Sequence, residues 1–150
     1  MIIDPASHRC HAALALSCSS RGAGKNIIGQ ILSYPCVGFD PEPGSNHLDG
    51  IADRVFPEEE RETLIREPYI SPIFDPEMHR MPPTMILIGT CDFLLDDNLR
   101  FAGRLVKAGV DLDFRLYQGM VHGFIHMGTE PGDDMAYRIA EKMRKLYNIL

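Results

Sequence analysis

The stretch Pro82-Pro83-Thr84-Met85-Ile86-Leu87-Ile88-Gly89-Thr90-Cys91-Asp92-Phe93-Leu94-Leu95-Asp96-Asp97 decides the fold. Residues 85–89 form an unbroken apolar run, introduced by two prolines and lacking the alternation of a half-wet strand. A strand buried on both faces reads this way, and such strands belong to parallel sheets covered by helices. Downstream, Asp96 or Asp97 is expected to cap a helix whose apolar positions Leu99, Ala102, Leu105 and Val106 fall at helical spacing. Gly109 would end it. Val110, Leu112, Phe114 and Leu116 then alternate with Asp111, Asp113 and Arg115, the pattern of a strand with one wetter face at a sheet edge. A final helix over 133–150 sets Met135, Ile139, Met143, Leu146 and Leu150 along one stripe.

Upstream, Ala12, Ala13, Leu14, Ala15 and Leu16 predict a helix over 6–20, stopped by Arg21-Gly22-Ala23-Gly24. Residues 27–34 read as a second buried strand, terminated by Pro35. From 39 to 73 the text is rich in Pro, Gly, Asn and Asp and reads as loop. One short helix is expected inside it, with Pro57 at its first position, Glu58, Glu59 and Glu60 in its first turn, then Leu64 and Ile65. Strands alternating with helices imply right-handed crossovers in a parallel sheet. The expected architecture is a single α/β domain over 1–150, about three parallel strands flanked by helices. Three strands make a thin sheet, so the chain reads as part of a larger α/β fold whose strands 27–34 and 85–89 lack cover.

Composition removes several function classes. The chain has 150 residues, 45% apolar and 24% charged, with 15 basic against 21 acidic side chains and a net charge of −6. An acidic chain without a cluster of Lys and Arg is a poor binder of nucleic acid. No uncharged stretch reaches the roughly 18 residues that a membrane span needs. Asp4 stands where a signal peptide would carry basic residues, so none is expected. The four cysteines, Cys10, Cys18, Cys36 and Cys91, make no C-x-x-C and are too sparse for a disulfide scaffold. Idle thiols in a reducing cytoplasm are the expectation.

In a parallel α/β sheet, functional groups gather beyond the carboxyl ends of the strands. Asp92 follows the strand 85–89, and His122 follows the strand 110–117 in Gln118-Gly119-Met120-Val121-His122-Gly123-Phe124. If those strands pair, the two side chains emerge side by side. A carboxylate that orients an imidazole, and an imidazole that takes a proton from a nucleophile, form the general-base half of a hydrolytic triad. Without that partnership, Asp92 would be an ordinary helix cap and His122 a surface residue. His122 and His126 also make H-x₃-H, but the intervening Gly123, Phe124 and Ile125 supply no glutamate for zinc hydrolase chemistry, and no metal is expected.

These segments together resemble the hormone-sensitive-lipase-like esterases, the fold-3 group of α/β-hydrolases. The stretch Pro82 to Asp96 is similar to the family's P-P-x-hydrophobic strand ending in D-P-L-x-D-E, whose first Asp is the triad acid. Tyr117-Gln118-Gly119-Met120-Val121-His122-Gly123-Phe124 matches Y-x-G-x-x-H-G-F, which carries the triad His. Arg104-Leu105-Val106-Lys107-Ala108-Gly109-Val110 resembles R-L-x-x-A-G-V, and Tyr69-Ile70-Ser71-Pro72 resembles Y-x-S-P. The resemblance runs from about Ala12 to the C-terminus. It implies a partial α/β-hydrolase fold, a carboxylic ester hydrolase acting on small acyl esters without cofactor, Asp92 as acid and His122 as base.

The family's nucleophile elbow, G-D-S-A-G-G, is where the chain departs. Aligning Ala12-Ala13-Leu14-Ala15-Leu16 without gaps lays Ile3-Asp4-Pro5-Ala6-Ser7-His8 over it. Pro5 occupies the serine position and offers no nucleophilic oxygen. Ser7 is the nearest hydroxyl, two residues along, and would need a shifted elbow whose glycines are missing. The H-G-G-G oxyanion loop has no counterpart. Three expectations follow: an esterase whose chain is inactive alone, a non-catalytic hydrolase remnant serving as a binding or dimerisation module, or a gene whose start is misplaced. The resemblance also implies a homodimer paired through the edge strand from Val110 to Tyr117.

Overall fold

A computed structural model describes residues 27–39 and 54–148. Pro5, Ser7, the helix expected over 6–20 and part of the loop after Phe39 lie outside the described residues. Strand β1 is Gln30–Ser33, helix α1 is Arg61–Leu64 and strand β2 is Thr84–Gly89. Helix α2 is Leu95–Lys107, strand β3 is Leu112–Tyr117 and helix α3 is Glu130–Tyr147. Single 3₁₀ turns stand at Pro72–Phe74, Met78–Arg80 and Phe124–His126.

The sheet order is β1-β2-β3 and both pairings are parallel. Gln30 pairs with Thr84 at the amino end, and Gly89 pairs with Tyr117 at the carboxyl end. Every residue of β2 is buried, as its unbroken apolar run requires of a central parallel strand. Ile86 joins Leu32 on one face, under Phe101 and Leu105 of α2. Met85 and Leu87 face the other way, against Met135 of α3 and Phe124. The strands expected to lack cover therefore have both faces of the sheet packed.

Several boundaries differ from the sequence expectations. Neither Asp96 nor Asp97 caps α2: its N-cap is Leu94, and both aspartates sit in the first turn, where negative charge suits the helix dipole. The buried stripe of α2 is Asn98, Phe101, Ala102 and Leu105, one residue round from the expected one, leaving Leu99 44% and Val106 63% exposed. The rotation brings Asn98 inward, where its amide donates to the carbonyls of Pro35 and Leu94, both at 2.9 Å. This ties the helix to the segment after β1.

Helix α1 begins later than expected. Glu58, Glu59 and Glu60 form the turn before it, closed by the Glu60 amide donating to Pro57 O at 3.2 Å. Three adjacent carboxylates are better solvated in that turn than inside a helix a single turn long. Helix α3 starts three residues before expectation because Thr129 caps it, accepting from the Gly132 amide, and Pro131 fits the first turn. On β3, Leu112 and Phe114 pack beside the α2 cluster, while Leu116 emerges beyond it and is half exposed.

Candidate active site

The carboxyl ends of β2 and β3 lie side by side, and the segments leaving them are laced together. Thr90 N donates to Tyr117 O at 2.9 Å, Cys91 N to Met120 O at 2.9 Å, and Gly119 N to Thr90 Oγ1 at 2.8 Å. This close approach requires Gly89. A Cβ built there would stand 2.0 Å from the Met120 carbonyl oxygen, a backbone atom that cannot rotate aside. Gly123, directly after His122, holds φ at +77°, which a residue with a Cβ adopts only under strain.

Asp92 sits in the turn between β2 and α2. Its side chain is wholly buried, and Oδ1 accepts from the Leu94 amide at 2.9 Å. The second partner of the carboxylate is His122, whose Nδ1 lies 3.0 Å from Oδ2 and 3.2 Å from Oδ1. A carboxylate only accepts, so Nδ1 carries the proton and Nε2 is left as the basic nitrogen. The His122 side chain is 22% exposed and lines a cleft of about 490 Å³. Phe93, Leu95 and Val121 give the cleft apolar walls, and Cys91 and Asp96 also line it.

Aromatic rings frame the imidazole. Tyr34, at the carboxyl end of β1, lies 4.9 Å from His122 between ring centroids, and Phe93 lies 4.8 Å away. Tyr34 takes the unusual φ of +39° and is buried against Phe124 at 5.8 Å. The Tyr117 hydroxyl donates to Asp134 of α3 at 3.0 Å, and burial together with that bond pushes it up to about 12. After β1, burial raises the Cys36 thiol to about 11, whereas Cys91 is exposed.

The structure thus brings together Asp92 and His122, the two described residues singled out from the sequence. His126, by contrast, is the exposed last residue of the 3₁₀ turn Phe124–His126, and no helix joins it to His122. No group of three His, Cys, Asp or Glu able to hold a metal occurs among the described residues. No helix among them is long and apolar enough to cross a membrane. Gly89, Thr90, Tyr34 and Phe93 were not singled out from the sequence. Only Gly89 carries a signal there, as a glycine ending an otherwise bulky apolar strand.

Comparisons with known proteins bear on this geometry. A model of the alpha/beta hydrolase fold family matches residues 10–126, which include both Asp92 and His122. An esterase of Acinetobacter venetianus is 40% identical over 58 residues, 39% of this chain and 19% of that protein. The hormone-sensitive lipase of Ictidomys tridecemlineatus is 29% identical over 68 residues, 44% of this chain and 9% of that protein. The crystal structure of carboxyl esterase 2 from the fungus Tuber melanosporum superposes with a TM-score of 0.76 at 18% identity. That superposition covers 93% of this chain and 51% of the esterase. The chain spans about half the length of such structures and a smaller share of the curated relatives. With the family model matching most of its length and three parallel strands packed between helices, the chain is a member of the alpha/beta hydrolase fold family, similar to hormone-sensitive lipase and related esterases.

Proposed function

We propose that this chain carries the acid–base half of a carboxylic ester hydrolase for small acyl esters, as a single domain in a reducing cytoplasm. Asp92 orients His122, and Nε2 of His122 takes the proton from an attacking hydroxyl and returns it to the leaving alcohol. The observation that carries this reading is the 3.0 Å contact between Nδ1 and a carboxylate with no solvent exposure, beside a cleft at the carboxyl edge of the sheet. Burial keeps water from competing for the carboxylate, so the imidazole stays in one tautomer. The acidic net charge argues against a nucleic-acid partner.

Pro5 stands where the family motif has its serine, so the chain alone is expected to hydrolyse no ester above background. Intact-mass labelling with a fluorophosphonate, beside His122→Ala, tests this. No adduct on either protein is the expected result. A single adduct on Ser7 that vanishes with His122→Ala would instead establish a relocated nucleophile served by a working base.

A second reading, a non-catalytic pairing module, draws on the outer edge of β3 and the half-exposed Leu116. It makes the strand from Val110 to Tyr117 a homodimer seam. A monodisperse, cooperatively folding monomer in analytical ultracentrifugation would count against it.

A further inference from the structure

The two bonds to Asp92 fix where Nδ1 of His122 points, but they leave the imidazole free to tilt about that direction. A general base that tilts spends part of its time misaligned with the hydroxyl it must deprotonate, and small misplacements there are costly. Two rings limit the tilt. Tyr34 stands against His122 with an interplanar angle of 53° and is itself buried, which makes it the core-side contact. Phe93 lies flatter, at 30°, and is 45% exposed, which makes it the solvent-side contact.

Phe93 is held by the turn that holds Asp92. The Leu94 amide closes on Asp92 Oδ1 at 2.9 Å and the Leu95 amide on Asp92 O at 3.1 Å, so the residue between has little backbone freedom. The D-P-L motif described above has proline at this position, and proline presents no aromatic face. We propose that Phe93 is a positioning residue for His122: its ring covers the outer side of the imidazole, limits its tilt and forms an apolar wall of the cleft. The role in catalysis rests on reading His122 as the base, while the contact itself does not.

Diethyl pyrocarbonate acylates accessible imidazole nitrogens, and peptide mass mapping reads its rate at each histidine. In the full chain, Phe93→Ala is expected to speed modification of His122 roughly two- to tenfold, the range set by losing one aromatic pair. Exposed His126 serves as the internal reference and should not change. Phe93→Tyr should restore the parent rate, and Phe93→Leu, bulky but without a ring face, should leave it close to that of Phe93→Ala. An unchanged rate in Phe93→Ala overturns the proposal. So does protection by leucine equal to that by phenylalanine, or a parallel rise at His126, which would mean general loosening. The two readings fail separately: a Ser7 adduct that persists in His122→Ala would remove His122 as the base, while the modification rates across the Phe93 variants would still decide the positioning contact.

Discussion

The segments after β2 and after β3 reach the same cleft but are held differently. The first is held by its own backbone: Asp92 N donates to Gly89 O at 3.2 Å, and Leu94 N and Leu95 N both close back on Asp92. The second is held by its neighbour. Gly119 leans on Thr90, Met120 on Cys91, and the imidazole on Asp92, Tyr34 and Phe93. The place of Asp92 is local, whereas that of the imidazole is set by Asp92 and Phe93, about thirty positions earlier, and by Tyr34 on another strand end. Displacement of the imidazole should therefore come most easily from the β2 side.

The strongest test is Gly89→Ala. The added methyl meets the Met120 carbonyl at 2.0 Å, so the two segments must separate. A loss of about 3 kcal/mol in urea unfolding is expected, together with faster modification of His122. Gly123→Ala, strained at φ +77° but with open space around it, should cost nearer 1–2 kcal/mol. Equal losses would mean that the close approach at Gly89 is not what holds His122.

Removing either member of the pair comes next. Asp92→Ala strips an acceptor from both His122 Nδ1 and the Leu94 amide, and about 3 kcal/mol is expected. His122→Ala leaves the Leu94 bond intact and should cost about 1 kcal/mol. If His122→Ala proved the more damaging in chemical denaturation, the local-against-borrowed contrast would be reversed.

The thiols extend the contrast to a third segment at this edge. Cys36 ordinarily ionises near 9.0 and is raised to about 11 in the fold, chiefly by burial. A raised acid favours the fold while neutral: its contribution is complete below pH 9 and is lost as pH climbs toward 11. The change is at most about 3 kcal/mol, and Cys36→Ala should flatten that part of the stability profile. Tyr117 adds a smaller loss of the same sign above pH 10. Near neutral pH, iodoacetamide should mark exposed Cys91 well before Cys36. The smallest effect is expected at Leu99→Ala, under about 0.5 kcal/mol, because that side chain lies on the outer face of α2.

What could be read in advance follows the same division. The central strand, the helix after it and the placement of Asp92 and His122 on neighbouring strand ends were legible, because apolar runs and strand-end loops are local signals. The inward turn of Asn98 was not. It depends on the Pro35 carbonyl, 63 residues away in sequence, which rewards a polar side chain where a pattern of apolar residues would place Leu99. The cap of α2 differs because the helix opens at Leu95, before either aspartate, so Asp96 and Asp97 stand inside its first turn and Leu94 is the N-cap. The ring contacts of Tyr34 and Phe93 depend on three segments meeting, so no single window of sequence contains them.

The shared oxygen of Asp92 has a consequence for how such a chain ages. By holding the amide that opens α2, the aspartate serves the fold whether or not any ester is ever cleaved. Selection for folding alone would preserve it. Among the described residues His122 bonds only to Asp92, so it has no comparable second duty. In a lineage drifting away from hydrolysis the histidine would be the first of the pair to change.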